Sequence, residues 1–213
     1  MGFLSWHQCG YWKNSIELWN HALQVTTNNT IAHNNRGAVY DEIGQYESAI
    51  KDYNEVIKLQ PVNFLAYYNR GNMFSKLNRY QSAIADYNET IRLKPDYADA
   101  YYNRGTVYNN HGHYQSAIED FNTAIGLKKD YVNAYNNRGT VYFKLGQYQP
   151  AIVDFNKAIS LKPDYADAYN NRNLAYLRLG IKNPVAVTRK KHAQTGIVNH
   201  GKLVKTKDTA VDF

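Results

Sequence analysis

The sequence predicts an all-α fold, a right-handed superhelical solenoid of antiparallel helix pairs built on 34-residue repeats. Three observations predict it. The tripeptide Asn-Arg-Gly recurs at Asn35-Arg36-Gly37, Asn69-Arg70-Gly71, Asn103-Arg104-Gly105 and Asn137-Arg138-Gly139, and a fifth copy, Asn171-Arg172-Asn173, lacks its glycine. Every step is 34 residues, and Tyr40, Phe74, Tyr108, Tyr142 and Tyr176 keep the same beat, as do Ala49, Ala83, Ala117 and Ala151. Such a period marks stacked supersecondary units. Within each period, apolar residues recur at three- and four-residue spacing in two separate runs, as two amphipathic helices require.

Along the chain, residues 1–29 form a partial unit, mainly a second helix near residues 11–27 carrying Tyr11, Ser15, Ile16, Trp19 and Ala22. Four full repeats follow at 30–63, 64–97, 98–131 and 132–165. In the third, Ala100, Tyr101, Arg104, Gly105 and Tyr108 mark the first helix, while Tyr114, Ala117, Ile118, Phe121, Ala124 and Ile125 mark the second. Gly44, Gly112 and Gly146 stop the first helices, and Asn78 takes that role once, because each tolerates a left-handed backbone. Pro61, Pro95 and Pro163 follow the second helices, whereas Pro150 sits in a first turn, where its missing N–H costs nothing. Residues 166–180 supply the first helix of a further repeat. Residues 181–213 are a basic tail, either a cap helix near 184–193 or disordered.

Composition narrows the class. Hydrophobic residues make up 44% of the 213, enough for a packed core. The chain has 20 Tyr against 7 Phe and 3 Trp, and tyrosine suits thin layers in which one ring is both buried and wet. Cys9 is the only cysteine, so no intramolecular disulfide forms. No run is long and apolar enough to span a membrane, and no signal pattern opens the chain. Met1-Gly2 lacks the Ser or Thr of a myristoylation signal, having Trp6 there. A cytoplasmic location is the resulting expectation. The net charge of +7 is concentrated: residues 181–213 carry +5 and the rest +2. The balanced body, and a tail without aromatic stacking residues before Phe213, argue against nucleic acid and membrane as partners.

No catalytic constellation stands out. The chain has no phosphate-cradling glycine loop, no HExxH pair and no nucleophile elbow. His111 and His113 lie in an interhelical turn without a third ligand, and His7 with Cys9 lies at the terminus. The expectation is therefore a protein that is not an enzyme, with no cofactor and no metal site.

The repeat closely resembles the tetratricopeptide repeat, whose signature is met by Tyr135, Gly139, Tyr142, Ala151, Phe155 and Pro163. The likeness covers about residues 10–180, with Lys129 in place of a proline, Asn173 of a glycine and His33 of an aromatic. It implies that the first helices line a concave groove, into which the residues two to three positions before each glycine point. These are Asn34-Asn35, Tyr68-Asn69, Tyr102-Asn103, Asn136-Asn137 and Asn170-Asn171. Asn35, Asn69, Asn103, Asn137 and Asn171 then form a ladder. An amide both donates and accepts, so a row of them matches the peptide units of an extended chain without reading its side chains. This is similar to the asparagine ladder of the glycosyltransferase that adds N-acetylglucosamine to nuclear and cytosolic proteins, and only the ladder positions carry over. Each rung nets ~0.5–1.5 kcal/mol. Specificity would come from neighbours such as Tyr68, Tyr102, Asp99, Asp167, Lys76, Lys144 and Phe143.

The implied function is a non-enzymatic scaffold for a protein or peptide ligand. Self-assembly through exposed array ends carrying Trp12 and Trp19 is the alternative, and a homo-oligomer its product. An RNA-binding repeat is a second alternative, against which the uniform 34-residue period speaks. The carboxylate clamp that captures chaperone tails is not matched, because its cations are replaced by Asn34, Leu65, Tyr68, Asp99, Tyr102 and Asn133. Arginine recurs at 36, 70, 104, 138 and 172, and Asp52, Asp86, Asp120 and Asp154 follow the first four by 16 residues. This spacing predicts a link between helices in preference to a row for binding anions.

Overall fold

The computed structural model describes residues 6–181, with side chains from Ser15 onward. Among these residues the chain forms α1 (Trp6–Val25), α2 (Thr30–Glu42), α3 (Tyr46–Leu59), α4 (Phe64–Lys76), α5 (Tyr80–Leu93), α6 (Ala98–Asn110), α7 (Tyr114–Leu127), α8 (Val132–Lys144), α9 (Tyr148–Leu161) and α10 (Ala166–Arg178), with no strand. Each helix packs on the next in sequence. The result is an all-α helical repeat solenoid. Even-numbered helices are the first of each pair, and α1 is a second helix that begins at Trp6, before the expected residue 11. The basic tail, its possible cap helix, and the side chains of His7, Cys9 and Trp12 lie outside the described residues.

Local chemistry sets the boundaries. Gly44, Asn78, Gly112, Gly146 and Gly180 all take positive φ, between 57° and 80°, just past a first helix, and the first four turn the chain toward that helix's partner. Asn29 and Asn63 cap α2 and α4 by accepting from the backbone N–H of Ala32 and Ala66. Later repeats place Tyr97, Tyr131 and Tyr165 there, with no side-chain cap. Packing replaces the lost hydrogen bond. The Tyr97 ring sits 5.2 Å from Phe64 and 5.0 Å from Tyr68, and Tyr131 sits 4.9 Å from Tyr102, each tying the start of one first helix to the first helix before it.

The core is a series of equivalent layers. Ala49, Ile50 and Tyr53 pack with Met73; Ala83 and Tyr87 with Val107; Ala117, Ile118 and Phe121 with Val141; Ala151, Ile152 and Phe155 with Ala175 and Tyr176. Each layer joins the second helix of one repeat to the first helix of the next, so no pair buries its apolar face alone. Phe121 and Phe155 are fully buried, which contributes about 1.5–3 kcal/mol apiece. Glycine permits the close approach. A Cβ on Gly139 would lie 2.8 Å from the Phe155 ring and 3.2 Å from the Ala151 carbonyl oxygen.

The arginine series joins helices, as its spacing predicts. Nε and Nη2 of Arg36, Arg70, Arg104 and Arg138 donate to both oxygens of Asp52, Asp86, Asp120 and Asp154 at 2.6–2.9 Å. Nη1 reaches back to Asn20, Asn54, Asn88 and Asn122 on the preceding second helix, at 2.5–2.7 Å. One guanidinium therefore pins three helices. Burial lifts the carboxyls of Asp86, Asp120 and Asp154 above the usual aspartate range, and the facing guanidinium offsets only part of that. Arg172 keeps the backward bond, to Asn156 at 2.8 Å, but its buried Nε has no partner among the described residues.

Candidate functional site

The first helices α4, α6, α8 and α10 touch in succession, so their free faces make one continuous surface. α2 places Asn34 and Asn35 on this series, α4 Tyr68 and Asn69, α6 Tyr102 and Asn103, α8 Asn136 and Asn137, and α10 Asn170 and Asn171. The rungs are tied to one another. Asn103 Nδ2 donates to Tyr68 Oη at 3.0 Å and to Asn72 Oδ1 at 2.9 Å, both on α4. Asn137 Nδ2 donates to Tyr102 Oη at 3.1 Å, and Asn171 Nδ2 to Asn136 Oδ1 at 3.2 Å. All but the Asn72 bond step back 35 residues. Each amide thus rests on the side chain that precedes the equivalent asparagine one repeat earlier.

The first two repeats differ. No protein hydrogen bond holds the side chains of Asn35 and Asn69 among the described residues, and Asn34 Oδ1 is buried without a partner. Asn170 is exposed, whereas Asn136 is only 6% exposed and lies in the wall. Tyr68 and Tyr102 are half-buried against Tyr87 and Phe121. Burial raises both phenols above the ordinary tyrosine value, so they stay neutral and can accept from the ladder while donating elsewhere.

The charges expected to confer specificity are largely engaged within the protein. Lys76 pairs with Asp41, Lys144 donates to Asn109 Oδ1 at 2.9 Å, and Asp99 accepts from Tyr131 Oη at 2.6 Å. The turn histidines are also in use. His111 Nδ1 lies 2.9 Å from the Val107 carbonyl and its ring stacks on Tyr80, while His113 meets Tyr108 edge-on. Among the described residues, no group of three His, Cys, Asp or Glu could hold a metal ion. No helix there is long and apolar enough to cross a membrane.

Sequence reasoning missed two features of the array. One is the set of bonds between rungs, which depends on side-chain direction. The other is the second asparagine series, Asn20, Asn54, Asn88, Asn122 and Asn156, whose 34-residue period was legible in the sequence.

Family models of the TPR repeat match residues 41–78, 71–112 and 107–146, and a model of the tetratricopeptide repeat matches residues 132–165. No curated protein matches the chain. Among solved structures, MamA is 27% identical with a TM-score of 0.69, over 78% of this chain and 99% of that one. YrrB, described as a TPR protein with an unusual peptide-binding site, is 19% identical with a TM-score of 0.67, over 78% of this chain and 86% of its own. The first TPR of Spaghetti (RPAP3), solved bound to the HSP90 peptide SRMEEVD, is 26% identical with a TM-score of 0.54, over 55% and 93%. With these models spanning residues 41–165, the chain belongs to the tetratricopeptide repeat family.

Proposed function

We propose that the protein is a non-enzymatic interaction scaffold whose first-helix face binds an extended peptide through the row Asn35, Asn69, Asn103, Asn137 and Asn171. The observation that carries this reading is the way the rungs are held. Asn103, Asn137 and Asn171 are each oriented by a bond to the preceding repeat. An amide fixed in advance loses less entropy on meeting a peptide unit, which is where weak backbone contacts gain affinity. Asn137 and Asn171 keep an unshared N–H, since each amide carries two and one is used. Support also comes from the Spaghetti (RPAP3) domain of the same architecture, which was solved with a peptide.

With ~0.5–1.5 kcal/mol per rung, backbone contacts alone give weak and tolerant binding. The test is a peptide array probed with the wild-type chain and with Asn69→Ala plus Asn103→Ala. Weaker binding across most bound peptides is expected of the double variant, whereas equal binding by both proteins would defeat the ladder.

A further inference from the structure

Two recesses open on the ladder face. One, of about 300 Å³, is lined by Asn72, Ser75, Lys76, Tyr87, Asn103 and Thr106. The other is a notch of about 30 Å³ lined by Thr140, Phe143, Phe155, Asn171 and Leu174. Moving Asn72, Ser75, Tyr87, Asn103 and Thr106 forward by two periods lands on those five residues in order. The recesses are therefore the same place in the repeat, two repeats apart, and the polar side chains that wall the first give way to an almost wholly apolar lining in the second.

The change is graded along the array. One wall position reads Asp41, Ser75, Asn109, Phe143 and Leu177. A second reads Ala38, Asn72, Thr106, Thr140 and Leu174. At the floor, Tyr53 and Tyr87 give way to Phe121 and Phe155, which removes the hydroxyl. The two wall series end in leucine, and the floor series ends without its hydroxyl. Leu174 and Leu177 are 51% and 60% exposed, so packing among the described residues does not account for their being apolar. At the other recess, Tyr87 Oη donates to Asn72 Oδ1 at 2.8 Å, and Lys76 is neutralised by Asp41.

We infer that the groove is polarised along its length and accepts a peptide in one orientation. The apolar side chain of that peptide seats against Phe143, Phe155 and Leu174, and a neutral hydrogen-bonding side chain enters the recess walled by Asn72, Ser75 and Tyr87. This rests on the groove-binding reading and adds the sequence pattern that the ladder cannot read. Adjacent first helices pack ~8–10 Å apart, so two repeats separate the recesses by ~16–20 Å. An extended chain rises ~3.3 Å per residue, which puts the two anchor residues about five or six positions apart.

The test is selection of random peptides, long enough to span both recesses, on the full chain and on the variant Phe143→Ser plus Leu174→Thr. These replacements place in the notch residues that the array already uses at equivalent positions, at Ser75 and Thr140. The wild type is expected to enrich peptides with an apolar residue about five or six positions from Ser, Thr, Asn or Gln. The variant is expected to lose the apolar preference and to bind a wild-type-selected peptide ~10-fold more weakly. If the variant melts below the wild type, Leu174→Thr alone decides, because that side chain is half exposed. Enriched peptides without the spaced pair, or an apolar preference unchanged in the variant, overturn the inference and leave the groove reading standing. No enrichment at all overturns both. A wild type that self-associates, and ceases to in the variant with peptide preference unchanged, assigns the leucines to a second copy and also overturns it.

Discussion

Arg104→Leu isolates the three-helix staple. The change removes the bonds from Nε and Nη2 to Asp120, at 2.9 and 2.6 Å, and the Nη1 bond to Asn88 at 2.5 Å. Leucine covers similar hydrophobic ground, so the main effect falls on the carboxylate left behind. Asp120 is 5% exposed, and stranding one member of a buried pair costs about 3–5 kcal/mol. At ~2–4 °C per kcal/mol for a chain of this size, the melting temperature should fall by roughly 6–20 °C. Adding Asp120→Ala should recover most of that, because replacing both members of such a pair is often near neutral. The pH dependence has a definite sign. Asp120 already has its carboxyl raised by burial, and losing Arg104 raises it further, above the unfolded value. A buried acid whose folded value is raised destabilises when ionised, so the deficit of Arg104→Leu should be largest at neutral pH and shrink as the pH falls through that value. Thermal melts followed by circular dichroism, at neutral and acid pH, measure all three quantities. A variant that melts with the wild type yet loses ligand binding would refute the structural assignment and restore the arginines as an anion-binding row.

Other outcomes follow from the same geometry. Arg172→Leu should cost less than Arg104→Leu, within about 1 kcal/mol, because among the described residues its one hydrogen bond is to Asn156 and its buried Nε has no partner; paired melts check it. Gly139→Ala should destabilise by up to ~2 kcal/mol, since its Cβ would lie 2.8 Å from the buried Phe155 ring, whereas Gly126→Ala meets nothing within 4 Å and should stabilise by up to ~1 kcal/mol in denaturant titrations. At alkaline pH, burial raises the phenols of Tyr53, Tyr68, Tyr87, Tyr97, Tyr102 and Tyr131, with Tyr97 at about 12. Their raised values mean that stability is full below the unfolded value of 10.0 and falls as the pH climbs toward 12, so late phenolate absorbance should appear together with unfolding.

The parts of this structure that repeat were legible in the sequence. A 34-residue beat of Gly, Ala and aromatic residues locates the helix pairs, because small residues mark where backbones approach and aromatics mark where space must be filled. The Arg–Asp link was legible for the same reason, as two residue types separated by a constant 16 positions. The hydrogen-bonding state of the ladder was not. Whether Asn103 faces solvent or rests on Tyr68 depends on side-chain torsions and on the neighbouring helix, and no periodicity encodes that. The exchange of the Asn29 and Asn63 caps for Tyr97 and Tyr131 shows a second limit. A tyrosine at a capping position reads as a poor cap until the preceding repeat supplies rings to receive it.

The staples all point the same way along the chain, each arginine bonding forward to its own aspartate and backward to an asparagine of the previous repeat. Every equivalent place holds the same residue type, so the wiring depends on period and not on absolute position. Excising residues 98–131 would bring Arg138 against Asn88 where Asn122 had been, with Asp154 still in place. Whole repeats can therefore be inserted or removed without stranding a staple arginine or aspartate at the seam. The reach of the array becomes a length that gene duplication can set, one period at a time.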